Sequence, residues 1–193
     1  KVTGVQTCAL PICSTPATYL RVWTRIRELI SSLPEAKARG MHPSAFSFNV
    51  KGGRCERCKG AGRIKLEMNF LPDSYIQCED CLGNRYRSEI LDMEWKGKNV
   101  AQILDMSFED ALEFFAFDEF LKQTFQLMTE TGLGYLKLGQ TSPTLSGGEA
   151  QRLKLATELA TGIDLQGTRL GKRKSNLYVL DRKSTRLNSS HLV

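Results

Sequence analysis

Four cysteines near the middle of the chain have the spacing of metal ligands. Cys55 and Cys58 form one Cys-x2-Cys pair, and Cys78 and Cys81 form a second pair after an interval of 19 residues. Two such pairs are typical of a structural zinc site, because each presents two thiolates to one tetrahedral ion and the hairpin between them brings the pairs together. No fifth candidate ligand lies nearby, so we expect a closed, structural site. The alternatives are two disulfides, which the lack of a secretory signal disfavours, or buried thiols.

A run of basic residues surrounds the first cysteine pair. Residues 51–65 contain one acidic side chain, Glu56, and six basic ones: Lys51, Arg54, Arg57, Lys59, Arg63 and Lys65. Such an excess of positive charge in a short segment is typical of contact with nucleic-acid phosphates. We predict DNA contacts from Lys51, Arg54, Arg57 and Lys59, and a solvated charged face is the alternative.

The string LSGGEAQR at residues 145–152 predicts a helix whose first turn faces a phosphate. Ser146 can cap the helix, and Glu149 stands three residues later as its capping-box partner. Gly147 and Gly148 leave backbone N–H groups open to an anion at the positive end of the helix dipole. Considered alone, these residues are also consistent with an ordinary, well-capped helix.

Hydrophobic spacing predicts the elements around the cysteines. Apolar residues recur at helical intervals from Ala17 to Leu33, with Pro34 just beyond, which predicts one amphipathic helix. A short strand and tight turn are predicted where apolar and polar residues alternate ahead of two glycines, at Phe46, Phe48 and Val50. A second alternating series precedes Tyr75 and Ile76 and completes a small β-rich module: Ile64, Leu66, Met68 and Phe70.

The chain after Val100 has a helical period. Ser107 followed by Asp110 predicts a helix cap, with Leu112, Phe114 and Phe115 on the buried side. A further helix is predicted to end near Gly132 or Gly134 and to bury Phe120, Leu121, Phe125 and Met128. Residues 162–175 predict a loop, and residues 176–181 (NLYVLD) a buried strand ending in an acidic residue.

The two ends of the chain are related to each other through the genetic code. Residues 181–189 (DRKSTRLNS) can be encoded by a DNA string whose reverse complement encodes residues 4–12 (GVQTCALPI). That string is a common sequencing-adapter sequence, so we interpret residues 1–12 and 182–193 as adapter translation. The natural chain is then expected to run from about Cys13 to Leu180 or Asp181.

The composition of the chain excludes several classes of protein. The chain has 193 residues, of which 41% are hydrophobic and 25% charged, which excludes disordered and collagen-like chains. Without the two ends, the formal net charge falls from +6 to +2, so overall charge says little about partners. No apolar run approaches the length of a membrane span, and the start lacks the features of a secretory signal. We therefore expect a cytoplasmic protein without a membrane partner.

The LSGGEAQR string, followed by Lys154-Leu155-Ala156, resembles the signature motif of ABC-type ATPases in the form found in the UvrA family. That family provides the damage-recognition ATPases of bacterial nucleotide excision repair. The resemblance covers about residues 14–181 and includes the spacing of all four cysteines. Further segments that look like the second half of a UvrA protein are PATY at 16–19, IREL at 26–29, FSFNVKGGRCE at 46–56, FLPD at 70–73 and LGQ at 138–140.

The resemblance implies roles for individual residues. Ser146, Gly147 and Gly148 would reach the γ-phosphate of ATP held by the Walker A loop of another nucleotide-binding domain. Asp181 would be the Walker B aspartate that supports Mg²⁺. The family's next residue is the catalytic glutamate, whereas this chain has Arg182, and no GxxxxGK[ST] loop occurs in the sequence. We therefore expect that this chain does not contain all the residues of a catalytic site.

The fold class implied is α/β: part of an ABC-type P-loop ATPase domain, with a mostly helical signature subdomain and an inserted β-rich zinc module. The whole protein would bind damaged duplex DNA and ATP, load UvrB and form a homodimer. A transporter-type ABC ATPase and a non-enzymatic zinc-ribbon binding module are the alternatives. Between the two adapter segments, the predicted units are a helical start at 13–45, the zinc module at 46–98, the helical signature domain at 99–175 and the Walker B strand at 176–181.

Overall fold

Helices form most of the part of the chain that the structure describes. The computed structural model describes residues 14–66 and 74–160. Eight α-helices lie within these ranges: α1 (Pro16–Tyr19), α2 (Val22–Ser31), α3 (Pro34–Ala38), α4 (Ser88–Leu91), α5 (Val100–Asp105), α6 (Phe108–Phe114), α7 (Glu119–Glu130) and α8 (Gly147–Ala160). Two 3-10 turns, Pro43–Phe46 and Ser142–Thr144, and two antiparallel hairpins complete the described elements. The hairpins pair β1 (Arg63–Leu66) with β2 (Ser74–Gln77) and β3 (Glu94–Trp95) with β4 (Lys98–Asn99).

Several predicted elements lie outside the described residues. They are Met68 and Phe70, the loop at 162–175, the strand at 176–181 with Asp181, and both terminal segments. Within the described residues, helices combined with small sheets agree with the α/β class. Turns are more extensive than strands around the cysteines, so the module is less β-rich than predicted.

The first predicted helix is wrong, because the segment forms two helices. α1 ends at Tyr19 and α2 begins at Val22, and between them Arg21 has a left-handed backbone with φ 61°. Residues two apart point to opposite sides of a continuous helix. The break instead allows Leu20 and Val22 both to be buried, at 4% and 0% exposure.

The strand predicted around Phe46 is also wrong. Residues 43–46 form a 3-10 turn, and Phe46 and Phe48 are buried while Val50 is 48% exposed. The ring of Phe48 packs against Trp23 and lies edge-on to Tyr86, whose hydroxyl donates a hydrogen bond to the carbonyl of Phe46 (2.9 Å). The alternating pattern therefore reflects aromatic packing on the helical core rather than a strand ladder.

The caps and buried faces predicted after Val100 are confirmed in large part. The backbone N–H of Asp110 donates to Ser107 Oγ (3.0 Å), and that of Ser107 to Asp110 Oδ2 (3.3 Å). Phe115 is fully buried, whereas Leu112 and Phe114 are partly buried against the core. The next helix, α7, buries Leu121, Phe125 and Met128 as predicted, whereas Phe120 is only partly buried, and Gly132 follows with φ 71°.

The core connects the beginning of the described chain to its end. One apolar cluster contains side chains from α1 and α2 and from each of the helices α5, α6, α7 and α8. Residues 133–139 run antiparallel to residues 104–109, through bonds such as Leu138 N–H to the Met106 carbonyl (2.9 Å) and Gly139 N–H to the Leu104 carbonyl (2.7 Å). The backbone N–H of Ala17 donates to the Leu138 carbonyl (3.1 Å). The segment ahead of α8 is thereby held against both halves of the core.

Among the helices of residues 14–66 and 74–160, each is too short or too polar to span a lipid bilayer.

Candidate metal centre and phosphate-facing helix

The hairpin of β1 and β2 brings the two cysteine pairs together. Arg63 lies opposite Gln77 in the register, so the strand ends nearest the cysteines are adjacent. The backbone N–H of Cys78 extends the pairing by donating to the Gly62 carbonyl (3.0 Å). The structure thus confirms that the hairpin juxtaposes the two pairs.

The four cysteine sulfurs form one compact, buried cluster. Their Sγ atoms all lie within 4.8 Å of one another, with 3.9 Å between Cys55 and Cys78 and 3.6 Å between Cys58 and Cys81. All four are free thiols, so the two-disulfide alternative does not describe this arrangement. Four thiolates around a zinc ion, with Zn–S bonds of about 2.3 Å, would have sulfurs about 3.8 Å apart. The cluster is therefore positioned to bind a metal ion.

The electrostatics of the cluster favour a cation at its centre. Burial raises the pKa of Cys81 to about 12, because a thiolate loses hydration there. At Cys78 burial also opposes ionisation, but backbone N–H groups of Cys81 and Asp80 outweigh it and lower the pKa. The N–H of Gly62 points at Cys58 Sγ (3.3 Å). A bound metal cation would offset the cost of ionising four adjacent buried thiols, since coordination deprotonates thiols.

Each cysteine pair is followed by two residues with a left-handed backbone. They are Lys59 and Gly60 after the first pair (φ 51° and 84°), and Leu82 and Gly83 after the second (φ 47° and 82°). Two successive left-handed residues reverse the chain directly behind the sulfurs. The glycines near the cysteines therefore supply the tight turns that their spacing predicts.

Substitution of Gly60 should be much more costly than substitution of a glycine in open space. A Cβ at Gly60 would lie 1.8 Å from the carbonyl oxygen of Phe48, whereas a Cβ at Gly97, also left-handed (φ 74°), meets nothing within 4 Å. Gly97→Ala should cost about 1 kcal/mol of unfolding free energy from backbone strain alone. Gly60→Ala should cost about 3 kcal/mol or more, because backbone must also move. Equal losses in denaturant unfolding of the two variants would contradict this geometry.

Two of the four predicted DNA-contacting residues are engaged by carboxylates of the module. Arg57 pairs with Glu79 (3.0 Å) and Asp80 (2.7 Å), and the nearby carboxylates raise its pKa. Arg54 contacts Glu56 (3.4 Å) and donates to the Asn49 carbonyl (3.1 Å), with its side chain only 14% exposed. The sequence could not show the neutralisation of Arg57, because its partners Glu79 and Asp80 lie between the cysteines of the second pair.

The other two predicted residues, Lys51 and Lys59, are exposed. Neither forms an ion pair with any residue in the described part of the chain. Both are therefore free to contact an external anion.

The capping box predicted for the signature string is confirmed. The backbone N–H of Glu149 donates to Ser146 Oγ (3.3 Å), and that of Ser146 donates to Glu149 Oε2 (2.7 Å). The hydroxyl of Tyr135 also donates to Glu149, and these hydrogen bonds lower the pKa of the Glu149 carboxyl. The carboxylate that holds the first turn of α8 is thus kept ionised.

The first turn of α8 is open to solvent at both glycines. Gly147 and Gly148 are exposed, and a Cβ built at either one meets nothing within 4 Å. Neither glycine has a left-handed backbone. Within the described residues, neither packing nor backbone conformation requires glycine at these two positions.

Sequence reasoning missed Arg85. This residue follows the second cysteine turn with φ 71° and donates from Nη2 to the Gly139 carbonyl (2.6 Å), which ties the metal module to the segment ahead of α8. Its only signal in the sequence is a basic residue just after a cysteine turn. No local pattern points to a partner so distant in the chain.

Comparison with known proteins finds the chain similar to UvrABC system protein A from several organisms. It is 52% identical over 178 residues to UvrABC system protein A of Thermus thermophilus and 50% identical over 177 residues to that of Aquifex aeolicus. The chain belongs to the UvrA family, as its motifs predict. Each alignment covers 91% of this chain, but the chain spans only 17% and 18% of the length of these two relatives.

A solved structure supports the same assignment. The crystal structure of UvrA2 from Deinococcus radiodurans matches with a TM-score of 0.77 and 45% sequence identity, over 81% of this chain and 19% of that one. No family model matches the chain.

Proposed function

We propose that this chain is part of a DNA-damage-recognition ATPase of nucleotide excision repair. The observation that carries the proposal is the combination of a four-thiol cluster with a capped helix that has two open glycines, in a chain about half identical to UvrA proteins. In the whole protein, ATP hydrolysis would be coupled to gripping damaged duplex DNA and to loading UvrB. The whole protein would act as a homodimer in the cytoplasm.

The metal in the cysteine cluster is proposed to be a structural zinc ion, held by Cys55, Cys58, Cys78 and Cys81. All four cysteines are buried, and their Sγ atoms lie close enough together to bind one ion. A closed set of four thiolates suits zinc and provides no place for a substrate. The ion would stabilise the hairpin between the cysteine pairs, where the described residues pack only Ile64 against the cysteines.

The first turn of α8 is proposed to contact the γ-phosphate of ATP through Ser146, Gly147 and Gly148. The open backbone N–H groups and the helix dipole favour an anion there. The ATP would be held by the Walker A loop of another nucleotide-binding domain, and Mg²⁺ would be supported by Asp181, which lies outside the described residues. The proposal therefore assigns hydrolysis to the whole protein, since this chain lacks a Walker A string and the catalytic glutamate.

The metal module is proposed to contact DNA phosphates without reading bases. Lys51 and Lys59 are the stronger candidates, because their charges are free. Arg54 and Arg57 could contribute only by leaving or sharing their carboxylates. Phosphate contacts of this kind add affinity and salt dependence but no sequence preference.

A salt titration of DNA affinity tests the proposed contacts. In the full-length protein, Lys51→Gln with Lys59→Gln should weaken binding to duplexes of any sequence and reduce the slope of log K against log salt by about two. Arg57→Gln should change the slope much less, because its charge is already matched by Glu79 and Asp80. Lys122→Gln, which removes an exposed charge from α7, serves as the control. An unchanged salt slope in the double variant would show that the basic residues within 51–65 are only a solvated surface and do not contact DNA.

A further inference from the structure

A polar cleft of about 280 Å³ separates the metal module from the segment that leads into α8. We name it the arginine cleft, because the module contributes Arg63 and Arg85 to its wall. Lys137 and Thr141 lie on the opposite wall, which belongs to the segment ahead of α8. The remaining polar lining includes Asn84, Asp105 and Thr144.

The Arg85 guanidinium carries a charge that no carboxylate in the described part of the chain balances. It donates to the Gly139 carbonyl and lies 5.3 Å from the centre of the Phe48 ring, and both are neutral partners. Burial lowers the pKa of Arg85, and the like charge of Arg63 lowers it further. A guanidinium stays charged in proteins even so, and it retains further N–H donors beyond the one used on Gly139.

Arg63 adds a second unbalanced charge to the same cleft. Its Nη2 donates to Thr141 Oγ1 (3.2 Å), and it has no carboxylate partner within the described residues. Lys137 is balanced by Asp105 (2.7 Å). Counted over its lining side chains alone, the arginine cleft has an excess of two positive charges, whereas Arg57, elsewhere on the module, is matched by two carboxylates.

The two positive charges at the cleft repel each other, and an anion bound between them would attract both and so offset that repulsion. Guanidinium groups present planar pairs of donors that match the oxygens of a phosphate, and hydroxyl and amide groups beside them supply further donors. We propose that the arginine cleft binds a phosphate group. The donors would be Arg63 and Arg85, with Thr141, Thr144 and Asn84 around them.

The proposed site is separate from both sites under Proposed function. Its residues are neither the Ser-Gly-Gly turn of α8 nor the lysines assigned to DNA. The phosphate could belong to the backbone of a nucleic acid or to a free nucleotide, since the donor chemistry is the same for both. Either occupant would contact residues 139–144, directly ahead of the signature string.

Calorimetric titration of the full chain with inorganic pyrophosphate at low ionic strength tests the site. Wild type should bind saturably, and Arg63→Gln should weaken binding at least about tenfold, as expected for a charged hydrogen bond. Arg63 is exposed, so the variant should fold, and its melting temperature verifies this. Lys122→Gln, with an equal loss of charge outside the cleft, should bind as wild type does. Absence of saturable binding, or equal affinity in the two variants, would overturn the proposal.

The same two variants identify the source of the phosphate. If it is a nucleic-acid phosphate, Arg63→Gln should lower the salt slope of duplex-DNA binding by about one and leave ADP binding unchanged. If it is a nucleotide phosphate, ADP binding should weaken and the DNA slope should not move. A variant with lower pyrophosphate affinity that alters neither would show an adventitious anion site and would also overturn the proposal.

Discussion

Replacing Cys55 and Cys78 together by serine should remove the metal from the protein and unfold the module between the cysteine pairs. Among the described residues, only the partly buried Ile64 packs in that cluster besides the four cysteines. The hairpin side chains Leu66, Tyr75 and Ile76 are 39%, 52% and 44% exposed. The described residues between the cysteine pairs therefore provide no apolar core to replace the lost coordination, whose free energy in comparable zinc modules is on the order of 10 kcal/mol.

Metal analysis and limited proteolysis would measure this effect. Wild type should contain one zinc per chain under reducing conditions, and the double variant close to none. Cleavage should appear within residues 56–80, while the helical signal persists, because the main apolar cluster is separate from the cysteine cluster. Cys13→Ser removes a thiol that is not one of the four proposed ligands and should leave the zinc content at one. Zinc near zero in wild type, or unchanged in the double variant, would contradict the site.

Gly148→Asp, in a protein with both ATPase halves, should abolish most ATP turnover without loss of stability. The aspartate would place negative charge and bulk where the γ-phosphate is proposed to bind. In the described structure the position is open, and an acidic residue in the first turn is favoured by the helix dipole, by about 0.3–1 kcal/mol. A melting temperature at or above that of wild type, with turnover reduced about 100-fold or more, is the expected pair of results.

Gly148→Ala and Gly148→Asn separate bulk from charge. Alanine adds one methyl group and removes the entropic cost of glycine, so it should be stable and retain more turnover than the aspartate variant. Asparagine has nearly the shape of aspartate without the charge and should fall between them. Wild-type turnover in the aspartate variant would contradict the phosphate contact. Lost turnover with a collapsed melting temperature would instead favour a purely structural role.

The features predicted correctly from sequence are those decided within a few residues. The Ser107–Asp110 and Ser146–Glu149 boxes form because both partners sit in the same helical turn. The cysteine cluster was predictable because a metal ion constrains the spacing of its ligands more tightly than a hydrophobic core constrains its residues. The family resemblance depended on the same local strings.

The features predicted wrongly are those decided by distant contacts. Nothing near Arg21 signals a left-handed break, which occurs because Leu20 and Val22 must both face the core. The alternation at Phe46 and Phe48 arises from packing on Trp23 and Tyr86. Tertiary packing thus overrode local propensity at both places.

The position of the cysteine cluster also affects how the chain reaches its native fold. Phe48 and Tyr86 touch within the main core, so the ends of the intervening segment 49–85 must come together when the core forms. Linking Cys55 to Cys81 through an ion shortens the freely moving part of that segment to roughly one third, which lowers its closure cost by about 1 kcal/mol. Chains that have already captured their metal should therefore close the helical core faster than metal-free chains, and the supply of zinc during synthesis would influence folding speed.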